Sequence, residues 1–249
     1  MSCSVVIPAR LASTRLPRKL LLDVGGVPLL KRTWEQVRQM QCGPAIYIVT
    51  DSQEIRETAE SWGAFVIDSC PECASGTERI ASVLNAISGD FILNVQGDEP
   101  FIEPSLLDAL VRRGEATKAD VITPIFKIED IEELFAPSVV KVVCAGDGRA
   151  LYFSRSTVPH VRDARRPEEW FKCGPFWGHV GVYGFRREVL SEYSRLKPSA
   201  LESIEGLEQL RWIEHGYTCQ TVVTEHRVME VNEPEDLSKA EAYCKKHGC

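Results

Sequence analysis

Residues 5–19 read VVIPARLASTRLPRK, an apolar run followed by a basic loop. The chain has a formal net charge of −7, yet four cations are concentrated in this loop: Arg10, Arg15, Arg18 and Lys19. Ser13 and Thr14 add hydroxyl donors. Because locally concentrated positive charge attracts anions, a strand that ends in such a loop is suited to binding phosphates. The alternative interpretation is a solvated basic loop.

Short β-rich runs alternate with longer segments of helical period, which predicts a Rossmann-like α/β fold with a mainly parallel sheet and flanking helices. A helix is expected over 201–215, and a terminal helix begins at Pro234. Between about 138 and 185, strand-like segments flank a charged loop, which predicts a smaller antiparallel extension lying over the sheet. No change of composition marks a boundary, so we expect a single domain over 1–249.

The composition is that of an ordinary soluble protein, with 44% hydrophobic and 26% charged residues. No apolar run reaches the roughly 20 residues that cross a bilayer, and the first residues do not show a basic region followed by a long apolar core, so we expect a cytoplasmic protein without membrane partners. A pI of about 5.4 without a large basic face argues against nucleic acid as a partner. Nine cysteines, an odd number, favour reduced thiols over a disulfide framework.

Cys70 and Cys73 are separated by two residues, a spacing found in redox couples and in half of a zinc site. A structural zinc site usually has a second pair at similar spacing, and the sequence contains none. The simpler interpretation is a polar loop with incidental thiols. A redox or zinc protein therefore stays open as a rival hypothesis.

Residues 94–100 read NVQGDEP and overlap an apolar strand candidate at 90–95. Gln96 and Asp98 should lie at the carboxyl end of this strand, where open α/β sheets bind ligands. A carboxylate at that position can hold Mg²⁺, which bridges phosphate oxygens in nucleotidyl transfer. An acidic turn alone, however, is weak evidence for a metal site.

Two further motifs have both a structural and a functional interpretation. Residues 75–79 read SGTER, where Ser75 or Thr77 could cap a helix that runs to about residue 86. Residues 179–183 read HVGVY and alternate strictly, so the His, Gly and Tyr should share one face of a strand. Polar groups on one face and valines on the other are typical of a lined pocket backed by the core.

Residues 203–211 read SIEGLEQLR, where helical spacing places Glu205, Glu208 and Gln209 on one face. On spacing alone, a solvated helix face is the simpler interpretation. A ligand-binding face is the alternative, and the choice depends on the other motifs.

Taken together, these motifs resemble the 3-deoxy-manno-octulosonate cytidylyltransferase family, also called the CMP-KDO synthetase family, and the resemblance extends over 5–236 with LYFSR at 151–155. The resemblance implies a fold of the nucleotide-diphospho-sugar transferase type and a homodimer. It also implies transfer of CMP from CTP to 3-deoxy-D-manno-octulosonate (KDO), with release of pyrophosphate, in lipopolysaccharide biosynthesis.

The same resemblance implies roles for individual residues, with Mg²⁺ as the cofactor. The residues implied to act in catalysis are Arg10, Arg15, Lys19 and Asp98. Those implied to bind the nucleotide are Pro8, Ala9, Arg10, Ser13, Arg15, Lys19, Gly76 and Thr77. Those implied to bind the sugar are Arg79, Gln96, His179, Tyr183, Glu208 and Gln209. The implied metal ligands are Asp98 and Asn232.

Asn232 is where this chain departs from the pattern, since the family usually carries Asp there as a second metal ligand. An Asn side chain can still coordinate Mg²⁺ through its amide oxygen, but it supplies no negative charge. The structural alternative is that Asn232 caps the terminal helix, with Glu235 three residues later completing a capping box.

Two other rival functions stay open at this point. One is a related cytidylyltransferase with a different acceptor, such as a sialic acid or a polyol phosphate. The other is a nucleotide-binding regulator that performs no transfer.

Overall fold

The computed structural model describes residues 1–13, 15–164 and 166–248. Thr14, expected to add a hydroxyl to the basic loop, lies outside this described part. The strands are β1 (Cys3–Ala9), β2 (Asp23–Val24), β3 (Val27–Pro28), β4 (Ala45–Thr50), β5 (Phe65–Asp68), β6 (Phe91–Asn94), β7 (Val121–Ile128), β8 (Lys141–Cys144), β9 (Ala150–Ser154), β10 (Phe176–His179), β11 (Tyr183–Arg186) and β12 (Cys219–Thr224). The α-helices are α1 (Leu29–Val37), α2 (Gln53–Glu60), α3 (Gly76–Ser82), α4 (Pro104–Ala116), α5 (Ile131–Phe135), α6 (Arg187–Glu192), α7 (Ala200–Glu205), α8 (Gln209–Glu214) and α9 (Pro234–His247).

The parallel part of the main sheet has the strand order β5-β4-β1-β6, and β12 pairs in parallel with β7. The predicted α/β class, with parallel strands, flanking helices and an antiparallel part, is confirmed. β11 joins the two regions, because it pairs antiparallel with both β6 and β7.

The antiparallel strands lie largely within the predicted range of 138–185, but they do not lie over the sheet as we expected. β10 is hydrogen-bonded to β7 and also to β8, and β8 is in turn paired with β9. These strands therefore continue the main sheet, because their backbone groups are satisfied by pairing at its edge. The single-domain organisation stays a prediction, and we propose it because the long strands share this one sheet.

β1 positions the basic loop because it is buried on both faces. Val5, Val6 and Ile7 are each fully buried. Val5 and Ile7 belong to one core cluster and Val6 to another, as expected when alternate side chains of a strand point to opposite faces. The end of β1 is thus held between two layers of packing, and the loop that follows begins from a fixed point.

The helix expected from residue 77 to residue 86 is shorter in the structure. α3 ends at Ser82, and Leu84–Ala86 form a 3-10 turn. Within the part of the chain that the structure describes, no helix has both the length and the apolar character needed to cross a membrane.

We expect Gly184→Ala to destabilise the fold by about 1–3 kcal/mol, the usual cost of an overpacked core. A Cβ at Gly184 would overlap the ring of Phe91, which is fully buried. Urea denaturation measures the change in the free energy of unfolding. Gly146→Ala is the matched control, because a Cβ at Gly146 would meet no atom within 4 Å. Equal denaturation midpoints for the two variants would contradict this packing argument.

Candidate active site

A cleft of about 360 Å³ opens at the carboxyl ends of β1 and β6. Its walls are the loop after β1, the start of α3, the loop after β6 and the segment before α9. Eleven of the site residues predicted from the sequence line this cleft: Pro8, Ala9, Arg10, Ser13, Arg15, Lys19, Gly76, Arg79, Gln96, Asp98 and Asn232.

Lys19 connects two of these walls. Its Nζ forms an ion pair with Asp98 and donates a 3.0 Å hydrogen bond to Asn232 Oδ1. The side chains of Lys19 and Asp98 are only 14% and 19% exposed, so solvent screens this pair less than a surface ion pair. The two predicted metal ligands therefore place oxygen atoms around one point, and the Lys19 ammonium group lies at that point.

Arg18 turns the basic loop so that Lys19 reaches the cleft. Its backbone is left-handed, with φ 57° and ψ 26°, an uncommon conformation for a residue other than glycine. The 3-10 turn Lys19–Leu21 follows directly. The Arg18 side chain forms an ion pair with Glu54 and does not line the cleft. Three of the four cations of the loop are thus available to a ligand in the cleft.

Arg10 and Arg15 are the more exposed of these three cations. Arg15 donates to Asn232 Oδ1 at 3.4 Å and pairs with Glu233 at 3.5 Å. Its side chain is 61% exposed, and exposed ion pairs contribute at most about 1 kcal/mol. Little free energy would be lost if Arg15 exchanged these contacts for phosphate oxygens.

The structural alternative for Asn232, a helix cap, is wrong. Glu233 is the N-cap of α9, and Asp236 completes the capping box with it. The helix begins at Pro234, as we expected, because proline suits the first helical position, where its missing N–H costs nothing, and this start makes Glu233 the cap. The Asn232 side chain is therefore left to contact Lys19 and Arg15 in the cleft.

Gly76 lets the start of α3 approach the loops after β1 and β6. A Cβ at this position would lie 3.0 Å from Pro8 Cγ and 3.4 Å from Gln96 Oε1. Ser75 caps the helix by accepting a 3.1 Å hydrogen bond from the Glu78 N–H. The SGTER motif therefore caps α3 and also lines the cleft, so its structural interpretation is compatible with a role in binding.

Arg79 lies deep in the wall of the cleft, with 3% of its surface exposed. Its guanidinium group pairs with Asp51 at 3.3 Å and also donates to the hydroxyl group of Ser69. The implied sugar-binding residue Arg79 therefore shares its cleft with the basic loop.

A buried hydrogen-bonded chain connects the cleft to two of the predicted residues that do not line it, Thr77 and Glu208. Gln96 Nε2 donates to Asn94 Oδ1 at 3.2 Å, and Asn94 Nδ2 donates to Thr77 Oγ1 at 3.2 Å. Thr77 Oγ1 in turn donates to Glu208 Oε1 at 2.8 Å. Asn94 is a link that our sequence interpretation missed, although it begins the NVQGDEP motif.

Tyr183 and Gln209 form a separate hydrogen-bonded pair behind the cleft. The Tyr183 hydroxyl donates to Gln209 Oε1 at 3.1 Å, and both residues are at most 4% exposed. Burial raises the pKa of Tyr183 well above its ordinary value, and the Glu208 charge raises it further. The phenol is therefore a neutral hydrogen-bond donor near pH 7.

The expectation of one helix over 201–215 is wrong. The helix is interrupted at Gly206, which adopts a left-handed backbone with φ 63° and separates α7 from α8. Glu205 consequently points elsewhere, where it accepts a 2.7 Å hydrogen bond from Ser154 and a 2.9 Å one from the Arg155 N–H. Glu208 and Gln209 therefore lie in the site region, and Glu205 supports β9.

His179 ends β10, and the chain bends between it and β11, so the single strand expected over 179–183 is interrupted. The hydroxyl group of Thr123 lies 2.8 Å from His179 Nε2, and the ring of Phe153 lies 5.1 Å from the imidazole. Burial lowers the pKa of His179 to about 3, so the ring is neutral near pH 7.

Two carboxylates that we did not single out lie next to Asp98. Glu99 is fully buried, and neither of its carboxyl oxygens has a hydrogen-bond partner among the described residues. Burial raises the pKa of Glu99 well above its ordinary value, and the charges of Glu230 and Asp98 raise it further. Much of Glu230 faces solvent, but desolvation of its carboxyl group, followed by the Asp98 charge, raises its pKa as well. No sequence pattern marks Glu230, whereas Glu99 lies within NVQGDEP.

The thiols of Cys70 and Cys73 are both free, and Cys73 lines the cleft. Among the described residues, no three His, Cys, Asp or Glu side chains are grouped so that they could hold a metal ion. A zinc site built from this pair therefore has no support in the described part of the chain.

A Rossmann-like sheet with a cationic loop and a carboxylate at its carboxyl edge is typical of a nucleotidyltransferase. The sequence model of one family, described as cytidylyltransferase, matches residues 4–227. The chain belongs to this cytidylyltransferase family.

Individual relatives agree with this assignment. The chain is 42% identical over 240 residues to a protein from Chlorobium limicola named 3-deoxy-manno-octulosonate cytidylyltransferase, with 95% of each chain covered. It is 40% identical over 240 residues to a protein of the same name from Cytophaga hutchinsonii, again with 95% of each chain covered. A solved structure of CMP:2-keto-3-deoxy-manno-octonic acid synthetase complexed with CTP superposes with a TM-score of 0.92 at 33% identity, covering 99% of this chain and 100% of that one.

We expect His179 to make the fold less stable in acid. Its pKa lies below the ordinary value of 6.5, so below pH 6.5 the unfolded chain binds a proton that the folded chain does not. Stability is therefore retained above pH 6.5 and is lost as the pH falls. Relative to His179→Gln, the parent should lose about 2 kcal/mol of unfolding free energy between pH 7 and pH 5.

Urea denaturation at several pH values measures this difference. His226→Gln, at an exposed position, is the matched control and should keep the pH dependence of the parent. The same pH dependence in the parent and in His179→Gln would show that the folded chain protonates His179 freely.

Proposed function

We propose that this protein transfers CMP from CTP to 3-deoxy-D-manno-octulosonate (KDO), giving CMP-KDO and pyrophosphate, and so activates KDO for lipopolysaccharide biosynthesis. The observation that carries the proposal is the convergence of Lys19, Asp98 and Asn232 at one point of a cleft lined by the basic loop. The names of the relatives and the CTP complex of the similar structure support the choice of substrates.

The basic loop is proposed to hold the triphosphate of CTP. Arg10 and Arg15 are exposed and can turn their guanidinium groups toward phosphate oxygens, which they bind in pairs. Pro8, Ala9, Ser13 and Gly76 line the cleft beside these cations, and Thr77 stands behind them at the start of α3. The Lys19 ammonium group, a compact point charge, can exchange its contact with Asp98 for a contact with a phosphate oxygen.

The acceptor sugar is proposed to bind where the buried chain of hydrogen bonds reaches the cleft. Gln96 and Arg79 line the cleft itself. His179, Tyr183, Glu208 and Gln209 lie behind, where neutral donors and acceptors suit sugar hydroxyl groups. Glu208 is linked to the cleft through Thr77 and Asn94.

Mg²⁺ is the proposed cofactor, and the residues present fit it. Asp98 and Asn232 would hold it, because both place an oxygen next to the point where the Lys19 ammonium group lies. Two protein ligands suffice for Mg²⁺, which usually takes its other ligands from phosphates and water. Bound there, Mg²⁺ would neutralise charge on the phosphate oxygens.

The chain's own residues would then act by positioning and by charge. The anomeric hydroxyl group of the sugar attacks the α-phosphorus in line and releases its proton to solvent, the bond between the α-phosphorus and the bridging β-phosphate oxygen breaks, and pyrophosphate leaves. Arg10, Arg15 and Lys19 stabilise the negative charge that develops on the departing pyrophosphate. Because the three cations are in place before the reaction, little reorganisation is needed at the transition state.

Three further predictions from the sequence remain proposals. We expect a homodimer because the family resemblance implies one. We expect a cytoplasmic location without nucleic acid or membrane partners because CTP is an intracellular nucleotide and the chain is acidic.

We expect Asp98→Asn to lower kcat by two orders of magnitude or more, because the variant removes a metal-binding charge next to the phosphates. The fold should survive, since Asn has the same shape and can still accept a hydrogen bond from Lys19. Steady-state kinetics measure kcat, and circular dichroism with thermal unfolding checks the fold. Full activity in a folded Asp98→Asn variant would remove Asp98 from the mechanism.

The experiment that tests the function is a pyrophosphate-release assay with CTP, Mg²⁺ and a panel of acceptors. The panel contains 3-deoxy-manno-octulosonate, N-acetylneuraminate and methylerythritol phosphate. Release with the first alone is the expected result. Pyrophosphate release only with another acceptor would support CTP as the nucleotide substrate and would overturn KDO as the acceptor. If no acceptor causes pyrophosphate release, the result would favour the rival hypothesis of a regulator that binds the nucleotide and performs no transfer.

A further inference from the structure

Glu230 lies next to Asn232, one of the two residues proposed to hold Mg²⁺. The function proposed above gives Glu230 no role. The Val231 N–H donates a 3.1 Å hydrogen bond to the carbonyl oxygen of Asp98, which fixes the segment before α9 against the loop after β6. Asn232 Nδ2 donates a 2.9 Å hydrogen bond to Glu230 Oε2. The Glu230 carboxylate is therefore on the same side of the chain as the Asn232 amide.

The second oxygen of Glu230 faces a gap that it shares with Glu99. A Cβ at Gly181 would lie 3.7 Å from Glu230 Oε1 and 4.0 Å from Glu99 Oε1. Glycine at position 181 leaves this space open between the two carboxylates. An oxygen of each carboxylate therefore lies within 4.0 Å of the point where a side chain at position 181 would begin, and glycine leaves that point unfilled.

Glu99 is the independent sign that a cation belongs here. It is fully buried, and both of its carboxyl oxygens are without a hydrogen-bond partner in the described part of the chain. Leaving a buried polar group unpaired is unfavourable, so such groups usually have a hydrogen-bond or ionic partner. A cation in the adjacent gap would supply that partner.

The nearby cations, Lys19 and Arg15, contact the Oδ1 side of the Asn232 amide rather than Glu230. Lys19 is bonded to Asp98 and to Asn232 Oδ1, and Arg15 contacts Asn232 and Glu233. The side of Asn232 that carries its NH₂ group faces Glu230 instead. Asn232 carries no negative charge, but Glu230, two residues earlier in the sequence, does.

We propose that Glu230 supplies the second protein carboxylate for the divalent cation at this edge, together with Asp98, in place of the charge absent from Asn232. Asn232 still offers its Oδ1 to the cation, and it also positions Glu230, because its NH₂ group donates a hydrogen bond to Glu230 Oε2. Glu99 lies behind the cation, and its charge is compensated by it. The inference rests on the proposed function only in taking the cation to be the one that accompanies CTP.

Direct binding of Mn²⁺ tests the inference, with free Mn²⁺ followed by electron paramagnetic resonance. The chain is titrated in the presence of CTP without an acceptor, and a titration of CTP alone is subtracted. Asp98→Asn should lose the binding and so locate the measured site. Glu230→Gln should raise the Mn²⁺ concentration for half-occupancy about tenfold or more.

The double variant Glu230→Gln with Asn232→Asp moves the charge to position 232 and should restore Mn²⁺ binding to near the parent level. Glu225→Gln is the matched control, because it removes an exposed carboxylate from the same segment, and it should bind Mn²⁺ as the parent does. Circular dichroism confirms that each variant is folded.

Two results would overturn the inference. One is parent-like Mn²⁺ affinity in Glu230→Gln. The other is a loss in Glu230→Gln that the charge at position 232 does not restore. The acceptor panel judges the proposed function separately, since Mn²⁺ binding is measured without an acceptor. Transfer activity together with unchanged Mn²⁺ affinity in Glu230→Gln would reject this inference alone.

Discussion

The contact between Lys19 and the oxygens of Asp98 and Asn232 holds the candidate active site together. It joins three segments that are far apart in the sequence: the loop after β1, the loop after β6 and the segment before α9. Burial raises the pKa of Glu99 and the charges of Glu230 and Asp98 raise it further, whereas the charges of Lys19 and Arg15 oppose the rise in the pKa of Glu230. Lys19 and Arg15 together therefore stabilise an acidic edge that is arranged to receive cations and phosphates.

This arrangement has a structural cost. The unpaired oxygens of Glu99 and the left-handed backbone of Arg18 are unfavourable features, and both lie beside the cleft. Some helices elsewhere follow the usual capping rules, as at Ser52, where the hydroxyl group accepts a 3.3 Å hydrogen bond from the Ile55 N–H. Local rules are thus broken where the ligand would bind, which is common at functional sites.

The strands and loops of the cleft could be predicted from the sequence because each motif directly follows an apolar run. Asp98 follows β6 and the basic loop follows β1, so the shared edge of the sheet brings them together. The interruption of the helix at Gly206 was missed, because the spacing of Glu205, Glu208 and Gln209 fits an unbroken helix. Only the left-handed backbone of Gly206 separates Glu205 from the other two.

Other parts of the site depend on contacts that no local pattern records. Asn232 fits the pattern of a helix cap, yet α9 begins at Pro234 with Glu233 as its cap, which leaves the Asn232 amide to Lys19 and Glu230. The antiparallel strands could be expected from their composition, whereas their pairing within the main sheet depends on β10. Long-range pairing of this kind is decided by the tertiary structure rather than by the local sequence.

The most direct test of the account is a crystal structure of the chain with CTP and Mn²⁺, in which anomalous scattering locates the metal. The account predicts the triphosphate against Arg10, Arg15 and Lys19, and a Mn²⁺ ion about 2.1 Å from an Asp98 oxygen. It also predicts that Lys19 has exchanged Asp98 for a phosphate oxygen. A triphosphate bound outside the basic loop, or Mn²⁺ elsewhere with the Lys19–Asp98 pair intact, would contradict it.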